Sequence, residues 1–447
     1  MSPIINRIGG TSSAGGGING MILRKKYVSG GPKDTWFVRM NNYSSSQAYF
    51  RSNGNIVTSQ ANVIYQIDKD ANYIANSALS VPVSGSIYNS FAFNKTADVA
   101  AVSGWNYPYE GENMPVAYVP LSSSSGSSIK VIRGPGSGYA AGAYIDNSGN
   151  LYRGCQAGTD GHFHKINSSG VTQWGLKFAS VFPHNANSRS VGSSVVDSSG
   201  NVYVSVYAYS SDVSVGALSK YNSSGTLQWR NYYGASNIVP DSLYIDSSGY
   251  VYFLVGTGTY GTTPFWLVKI DGTGAIVWQQ KYDLSGPASP YNFGGGKLQY
   301  IDGSGNMYIT IGWSTSGNYG YSTLLKVDSS RNVLWANSLI NGFGHGMTSF
   351  DIDPSFPDYY IISGAQGNVS IGSYGAYILK GRTNGTIPGG GNYGGYTMSN
   401  NNLTVSTASG TISATSRSIT GTTADSLSSS NQTLSSSSNL ISSKTEL

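Results

Sequence analysis

Val195-Val-Asp-Ser-Ser-Gly-Asn-Val-Tyr203 decides how this chain is read, because the stretch recurs. Close copies are Tyr144-Ile-Asp-Asn-Ser-Gly-Asn-Leu-Tyr152, Tyr244-Ile-Asp-Ser-Ser-Gly-Tyr-Val-Tyr252 and Tyr300-Ile-Asp-Gly-Ser-Gly-Asn-Met-Tyr308. A degenerate copy lies at Asp351-Ile-Asp-Pro-Ser-Phe-Pro-Asp-Tyr-Tyr360, and a weaker early one at Phe91-Ala-Phe-Asn-Lys-Thr-Ala-Asp-Val-Ala100. The central aspartates Asp146, Asp197, Asp246, Asp302 and Asp353 run from 146 to 353 in four steps, about 52 residues a step. A fixed period of this size marks a repeat architecture.

A second unit is interleaved with the first. It reads Lys165-Ile-Asn-Ser-Ser-Gly-Val-Thr-Gln-Trp174, then Lys220-Tyr-Asn-Ser-Ser-Gly-Thr-Leu-Gln-Trp229, Lys269-Ile-Asp-Gly-Thr-Gly-Ala-Ile-Val-Trp278 and Lys326-Val-Asp-Ser-Ser-Arg-Asn-Val-Leu-Trp335. The last copy, Lys380-Gly-Arg-Thr-Asn-Gly-Thr-Ile-Pro388, lacks the Trp. In both units β-branched and aromatic residues flank a short polar loop that starts with Asp or Asn and ends in Gly. Asp or Asn bonds backbone N–H groups further along the loop, and Gly supplies positive φ without steric cost, so each unit is a β-hairpin. Two hairpins per period give four antiparallel strands. One such sheet cannot bury both faces, so successive sheets must stack, and radial stacking leaves only short edges. The expected fold is an all-β propeller of four-stranded antiparallel blades.

Six blades are counted from Tyr88 to Lys380. A further blade is expected upstream from Thr35-Trp-Phe-Val-Arg39, which resembles the strand before the second hairpin loop, with Tyr49–Val57 and Tyr65–Tyr73 as hairpins. The count therefore favours seven blades over six. Three regions are expected: a Gly/Ser-rich N-terminal arm over 1–33, the propeller over 34–381 and a Gly/Ser/Thr-rich extension over 382–447. The arm carries Gly15-Gly16-Gly17 and no strand of useful length beyond Met21-Ile-Leu23. After Tyr396 there is no aromatic residue, so the extension cannot bury enough apolar surface to fold alone. Leu403, Val405, Ile412 and Ile419 sit among β-formers there, which leaves two readings open: disorder, or strands added to partner chains.

Composition narrows the function classes. Charged residues make up 11% of the 447-residue chain against about 25% in average globular proteins. With 59 Gly and 34 Tyr, the surface is expected to be built from Ser, Thr, Asn, Gly and Tyr, which suits an extracellular or particle-bound protein. A net charge of +5 is too dilute for nucleic-acid binding, which needs clustered cations. The nearest cluster, Arg24-Lys25-Lys26, reads as a solvated arm. Cys155 is the only cysteine, so no intrachain disulfide is available. No apolar run approaches the roughly 20 residues of a membrane helix, and no membrane insertion is expected. The N-terminal Met1–Gly10 lacks the apolar core of a secretory signal. Release by lysis, as for virion proteins, is the expectation that reconciles this with an exported-looking surface.

No site for catalysis, metal or cofactor is assigned. The Asp-Xaa-Ser-Gly loops offer one carboxylate each, whereas a calcium loop supplies several, so they read as turns. His162-Phe163-His164 places two imidazoles on one strand face, but zinc needs a third ligand, and His184 and His345 are remote in sequence. They read as packed or surface histidines. Trp174, Trp229, Trp278 and Trp335 have the chemistry to stack on sugars, but their fixed repeat position argues for packing between blades. No nucleophile elbow or phosphate loop is present. Paired carboxylates from distant loops would leave no sequence trace, and they remain the route to a polysaccharide-degrading enzyme.

Asp197-Ser-Ser-Gly-Asn-Val-Tyr-Val204 and its copies resemble the bacterial β-propeller repeat, and the Lys-Xaa-Asn/Asp-Xaa-Xaa-Gly…Trp unit is similar to repeats of quinoprotein-like propellers. The likeness covers about residues 88–380 and implies fold rather than function. Quinoprotein dehydrogenases add a vicinal Cys pair and an acidic calcium site, and this chain has one Cys. The start, Pro3-Ile-Ile-Asn-Arg-Ile-Gly-Gly10, and the Leu403-Thr-Val405 and Gly410-Thr-Ile412 tail resemble bacteriophage structural proteins. That resemblance implies a non-enzymatic tail, fibre or baseplate component in the virion. Its propeller would contact a host glycan or protein or a neighbouring virion protein, its ends would bind other virion proteins, and several copies would assemble in the particle. The alternatives are a secreted carbohydrate-binding or adhesive propeller and a propeller enzyme acting on glycans or using a quinone. The long loops Tyr107–Pro115 and Ser285–Gly296 are the expected contact regions.

Overall fold

Each repeat aspartate closes a hairpin by bonding its own loop. The carboxylate of Asp146 accepts from the backbone N–H of Ser148 (3.0 Å) and Asn150 (2.8 Å), while Gly149 N donates to Asp146 O at 2.9 Å. Asp197, Asp246 and Asp302 repeat the pattern, and Asn167, Asn222 and Asp271 use it in the second loop. The loop glycines lie at φ near +80°, the left-handed region that costs a side-chain-bearing residue about 1–2 kcal/mol.

The computed structural model describes residues 5–7, 22–26, 36–41, 47–60, 63–69, 74, 79–80, 87–105, 115–121, 128–133, 140–157, 160–178, 188–209, 214–233, 240–256, 265–285, 291–315, 320–340, 347–368, 373–385, 397–400, 404–408, 414–416, 422–423 and 428–433. Their strands form seven antiparallel sheets. Three strands precede the first complete blade: β1 (Ile5–Arg7), β2 (Ile22–Lys26) and β3 (Trp36–Asn41). Blade one is β4–β7 (Ala48–Phe50, Ile56–Gln60, Val63–Ile67, Leu79–Ser80), and blade two is β8–β11 (Ile87–Asn94, Val99–Trp105, Pro115–Pro120, Ser128–Arg133). Blade three is β12–β15 (Ala140–Ile145, Leu151–Ala157, Asp160–Ile166, Thr172–Phe178). Blade four is β16–β19 (Ser188–Val196, Val202–Tyr209, Ser214–Tyr221, Leu227–Tyr233). Blade five is β20–β23 (Asp241–Ile245, Val251–Gly256, Phe265–Ile270, Ile276–Ser285) and blade six β24–β27 (Tyr291–Ile301, Met307–Thr315, Gly320–Val327, Val333–Ile340). Blade seven has β28–β30 (Met347–Ile352, Tyr359–Asn368, Ser373–Arg382). The chain is a seven-bladed β-propeller.

The first strands of successive blades lie side by side around the axis, from β8 through β12, β16, β20, β24 and β28 to β4. Blades one and two join through Val57, Ile64, Phe91 and Ala100. The middle strands are covered on both faces, and in blade five Val251-Tyr-Phe-Leu-Val255 is apolar and buried throughout. The core is a set of slabs between blades, such as Tyr252, Leu254, Leu267, Leu298, Ile309 and Leu325 between blades five and six.

The ring closes through the N-terminus. Strand β3 pairs antiparallel with β30, so it is the fourth strand of blade seven. Its register sets Trp36 opposite Lys380, as Trp174, Trp229, Trp278 and Trp335 stand opposite Lys165, Lys220, Lys269 and Lys326. The position that the last repeat lacks is filled from the start of the chain. Within Thr35-Trp-Phe-Val-Arg39, which resembles the strand before a second hairpin loop, the described residues Trp36–Arg39 therefore occupy the strand position after it. Ring closure replaces the loop that would have marked it.

Beyond 382 the chain turns back around the rim. Strands β31–β35 (Thr397–Asn400, Thr404–Ala408, Ala414–Ser416, Thr422–Thr423, Ser428–Thr433) pair with β27, β23, β19, β15 and β11 in turn. Each becomes the fifth strand of blades six, five, four, three and two, in reverse chain order. Blade seven gains β2 and then β1 outside β3, so Arg24-Lys25-Lys26 is in strand rather than in a bare arm. Leu403, Ile412 and Ile419 lie outside the described residues.

Candidate functional site

The tryptophans are latches between blades. Trp174 on blade three donates through Nε1 to Ser223 O (2.9 Å), and a Cβ on Gly225 of blade four would sit 3.0 Å from its ring. Trp229 donates to Gly272 O (3.0 Å) and lies over Gly274 of blade five, and Trp335 lies over Gly385 of blade seven. Under Trp278 the residue is Arg331, held at φ 75° with its guanidinium 5.4 Å from the ring centroid. The lysines share the site: Lys220 Nζ also reaches Gly272 O at 3.0 Å and stands 5.1 Å from the Tyr203 ring. The next blade's loop packs on one face of these half-buried rings, which is the packing between blades that their repeat position implies.

The histidines are inside blade three. His162 and His164 are 3% and 0% exposed, with ring centroids 6.2 Å apart. They stand opposite Cys155 and Arg153 in the ladder between β13 and β14, and both of those are fully buried. Burial raises the Cys155 thiol pKa, against the pull of the Arg153 charge. This is a packed polar cluster between sheets.

The arrangement with the best claim to a ligand lies near the axis at the hairpin end. Two residues before the first-loop position, the inner strands of blades one, three, five and six carry Tyr49, Tyr144, Tyr244 and Tyr300. Blade seven has Asp351 at that place, and blade four Val195. Asp351 accepts from Lys95 Nζ (3.1 Å to Oδ1, 3.0 Å to Oδ2), Phe50 N (2.8 Å) and Ile352 N (2.9 Å), so it ties blades seven, one and two together. Burial pushes its carboxyl pKa above the usual range, and Lys95 opposes the shift.

Burial also raises the pKa of all four tyrosines; Tyr244 is pushed up to about 12 although Ile301 N donates to its hydroxyl at 3.3 Å. Tyr144 and Tyr300 are near enough to raise Tyr244 further. At neutral pH these phenols are uncharged, and each ring also packs against the apolar slab beside its blade; with the Lys95–Asp351 pair they bring together aromatic bodies, neutral hydroxyls and one compensated ion pair. That set has the chemistry that suits polyhydroxylated, uncharged groups rather than anions. The repeat comparison missed this place, although the signal was present as the one copy in which Asp stands where Tyr is usual. Among the expected contact loops, residues 107–114 and 286–290 lie outside the described residues.

No protein-family model matches the chain, and no curated protein does. Solved structures are similar to it at low identity. The β-propeller domain of Cps50 (Swd1) from Myceliophthora thermophila shares 9% identity, with 76% of this chain and 98% of that one covered and a TM-score of 0.47. A protein of unknown function from Bacteroides caccae shares 15% over 66% of this chain and 93% of that one (TM-score 0.38). The calcium-binding protein regucalcin from Agrobacterium tumefaciens shares 14% over 66% and 91% (TM-score 0.37).

Proposed function

We propose that this chain is a non-enzymatic component of a bacteriophage tail, fibre or baseplate, whose propeller contacts the host surface or a neighbouring virion protein. The observation that carries the reading is the double use of the chain ends: they close the ring and cover the outer edges of six blades. Open strand edges invite pairing between chains. The outermost edges are then β1 and the strands β31–β35, each two to six residues long, and edge strands this short limit pairing between the many copies of a repeated particle component. Contact is then left to loops rich in Tyr, Ser, Asn and Gly, which give large area and adaptable hydrogen bonds at low entropy cost. Labelled antibody on purified particles, viewed by electron microscopy, tests the proposal. Label at one fixed position on every particle is the expected result, and its absence from all virions overturns the reading.

A second reading, a carbohydrate-binding propeller, is favoured by the axial tyrosines and Asp351. It predicts glycan-array binding by the isolated chain that weakens at least tenfold in Tyr244→Phe or Tyr300→Phe, each of which removes one hydroxyl and leaves the aromatic body.

A further inference from the structure

Six of the seven sheets carry a strand outside their fourth: β35, β34, β33, β32 and β31 on blades two to six, and β2 on blade seven. Among the described residues blade one ends at β7, whose outer edge has no partner strand. The tail arrives at that gap in order. It passes blades six, five, four, three and two with strands that start at 397, 404, 414, 422 and 428, about eight residues a blade. Eight extended residues span about 26 Å, enough to reach from one blade rim to the next. After β35 on blade two, the next blade in the same direction is blade one, and residues 434–447 remain. The next strand in this progression would start near residue 436.

We propose that the outer edge of blade one is the docking site for the chain's own C-terminal residues, with Ser436–Ile441 as its fifth strand. Each existing tail strand runs antiparallel to the fourth strand it covers, and the same sense on β7 requires no reversal of the chain. Edge pairing is made by backbone groups, so the Ser-rich sequence Ser435-Ser-Ser-Ser-Asn-Leu-Ile441 serves as well as Ser428-Ser-Ser-Asn-Gln-Thr433, which already pairs with β11. With this step every blade rim is covered and the belt is complete.

Disulfide trapping in the full-length chain tests the assignment. Ser80→Cys is combined in turn with Ser436→Cys, Ser437→Cys, Ser438→Cys and Asn439→Cys, and Ser285→Cys with Thr404→Cys, a pair opposed in the blade-five register, is the control. The buried Cys155 stays in place. An intramolecular disulfide at one or more tail positions, formed within about twofold of the control rate, is expected. Disulfide-linked dimers would assign the edge to a second copy and overturn the proposal, as would no disulfide where the control forms one. Hydrogen exchange gives an independent reading. A chain ending at Thr433 should lose about tenfold protection at Leu79–Ser80 and keep that of blades three to six; equal protection in both chains contradicts the proposal.

Discussion

In blade five the first hairpin loop turns at Gly249 and the second at Gly274, with φ of 83° and 84°, and their sequences are close relatives. Their surroundings differ. A Cβ on Gly249 would meet nothing within 4 Å, whereas one on Gly274 would lie 2.5 Å from Asn231 Nδ2 and 3.2 Å from the Trp229 ring of blade four. Gly274 O also accepts from Tyr233 OH at 2.8 Å. In blade five the first loop needs glycine for the turn alone, and the second needs it so that Trp229 of blade four can lie on the backbone. Blade two makes its contact with the next blade differently. Its fourth strand, Ser128–Arg133, has no Trp, and Tyr118 on the third strand instead donates to Gly149 O in the first loop of blade three at 2.8 Å.

The comparison breaks most visibly at Gly274→Ala, where positive φ and overlap with both Asn231 and Trp229 add to about 3 kcal/mol of lost stability, read from denaturant midpoints. Trp229→Ala removes the ring and its bond to Gly272 O, and should lower stability by about 2–3 kcal/mol, below a core Trp because the ring is only half-buried. Gly249→Ala should lose about 1 kcal/mol, the conformational cost alone. If it equalled Gly274→Ala, the two loops would not differ as described.

A smaller effect concerns Asp351. Its pKa is raised in the folded state, so folded protein binds the proton more tightly than unfolded protein. Stability from this group is present below the ordinary carboxylate range and falls as pH rises through it to the raised value. The stability difference between wild type and Asp351→Asn should therefore shift against wild type over that interval, and a difference independent of pH would contradict the assignment.

The repeat units made the blades, their two hairpins and the packing role of the tryptophans legible, because Asp, Gly and Trp are each required by local geometry. Three features escaped for physical reasons. Trp36 belongs to blade seven, but it lies more than three hundred residues from its partner Lys380 and no hairpin loop marks it. The tail strands pair through backbone groups at sheet edges and so carry no alternating apolar pattern. Asp351 gains its role from Lys95 and the Phe50 N–H, both contributed by other blades.

The latch between a Trp and the next blade's second loop is tested most directly by a double-mutant cycle on Trp174 and Gly225, because the three nearest atoms to a Cβ on Gly225 all belong to that ring. Gly225→Ala should cost about 2–3 kcal/mol in wild type and about 1 kcal/mol in Trp174→Ala. Gly249→Ala should cost the same in both backgrounds. A Gly225→Ala cost that does not change when Trp174 is removed would contradict the latch.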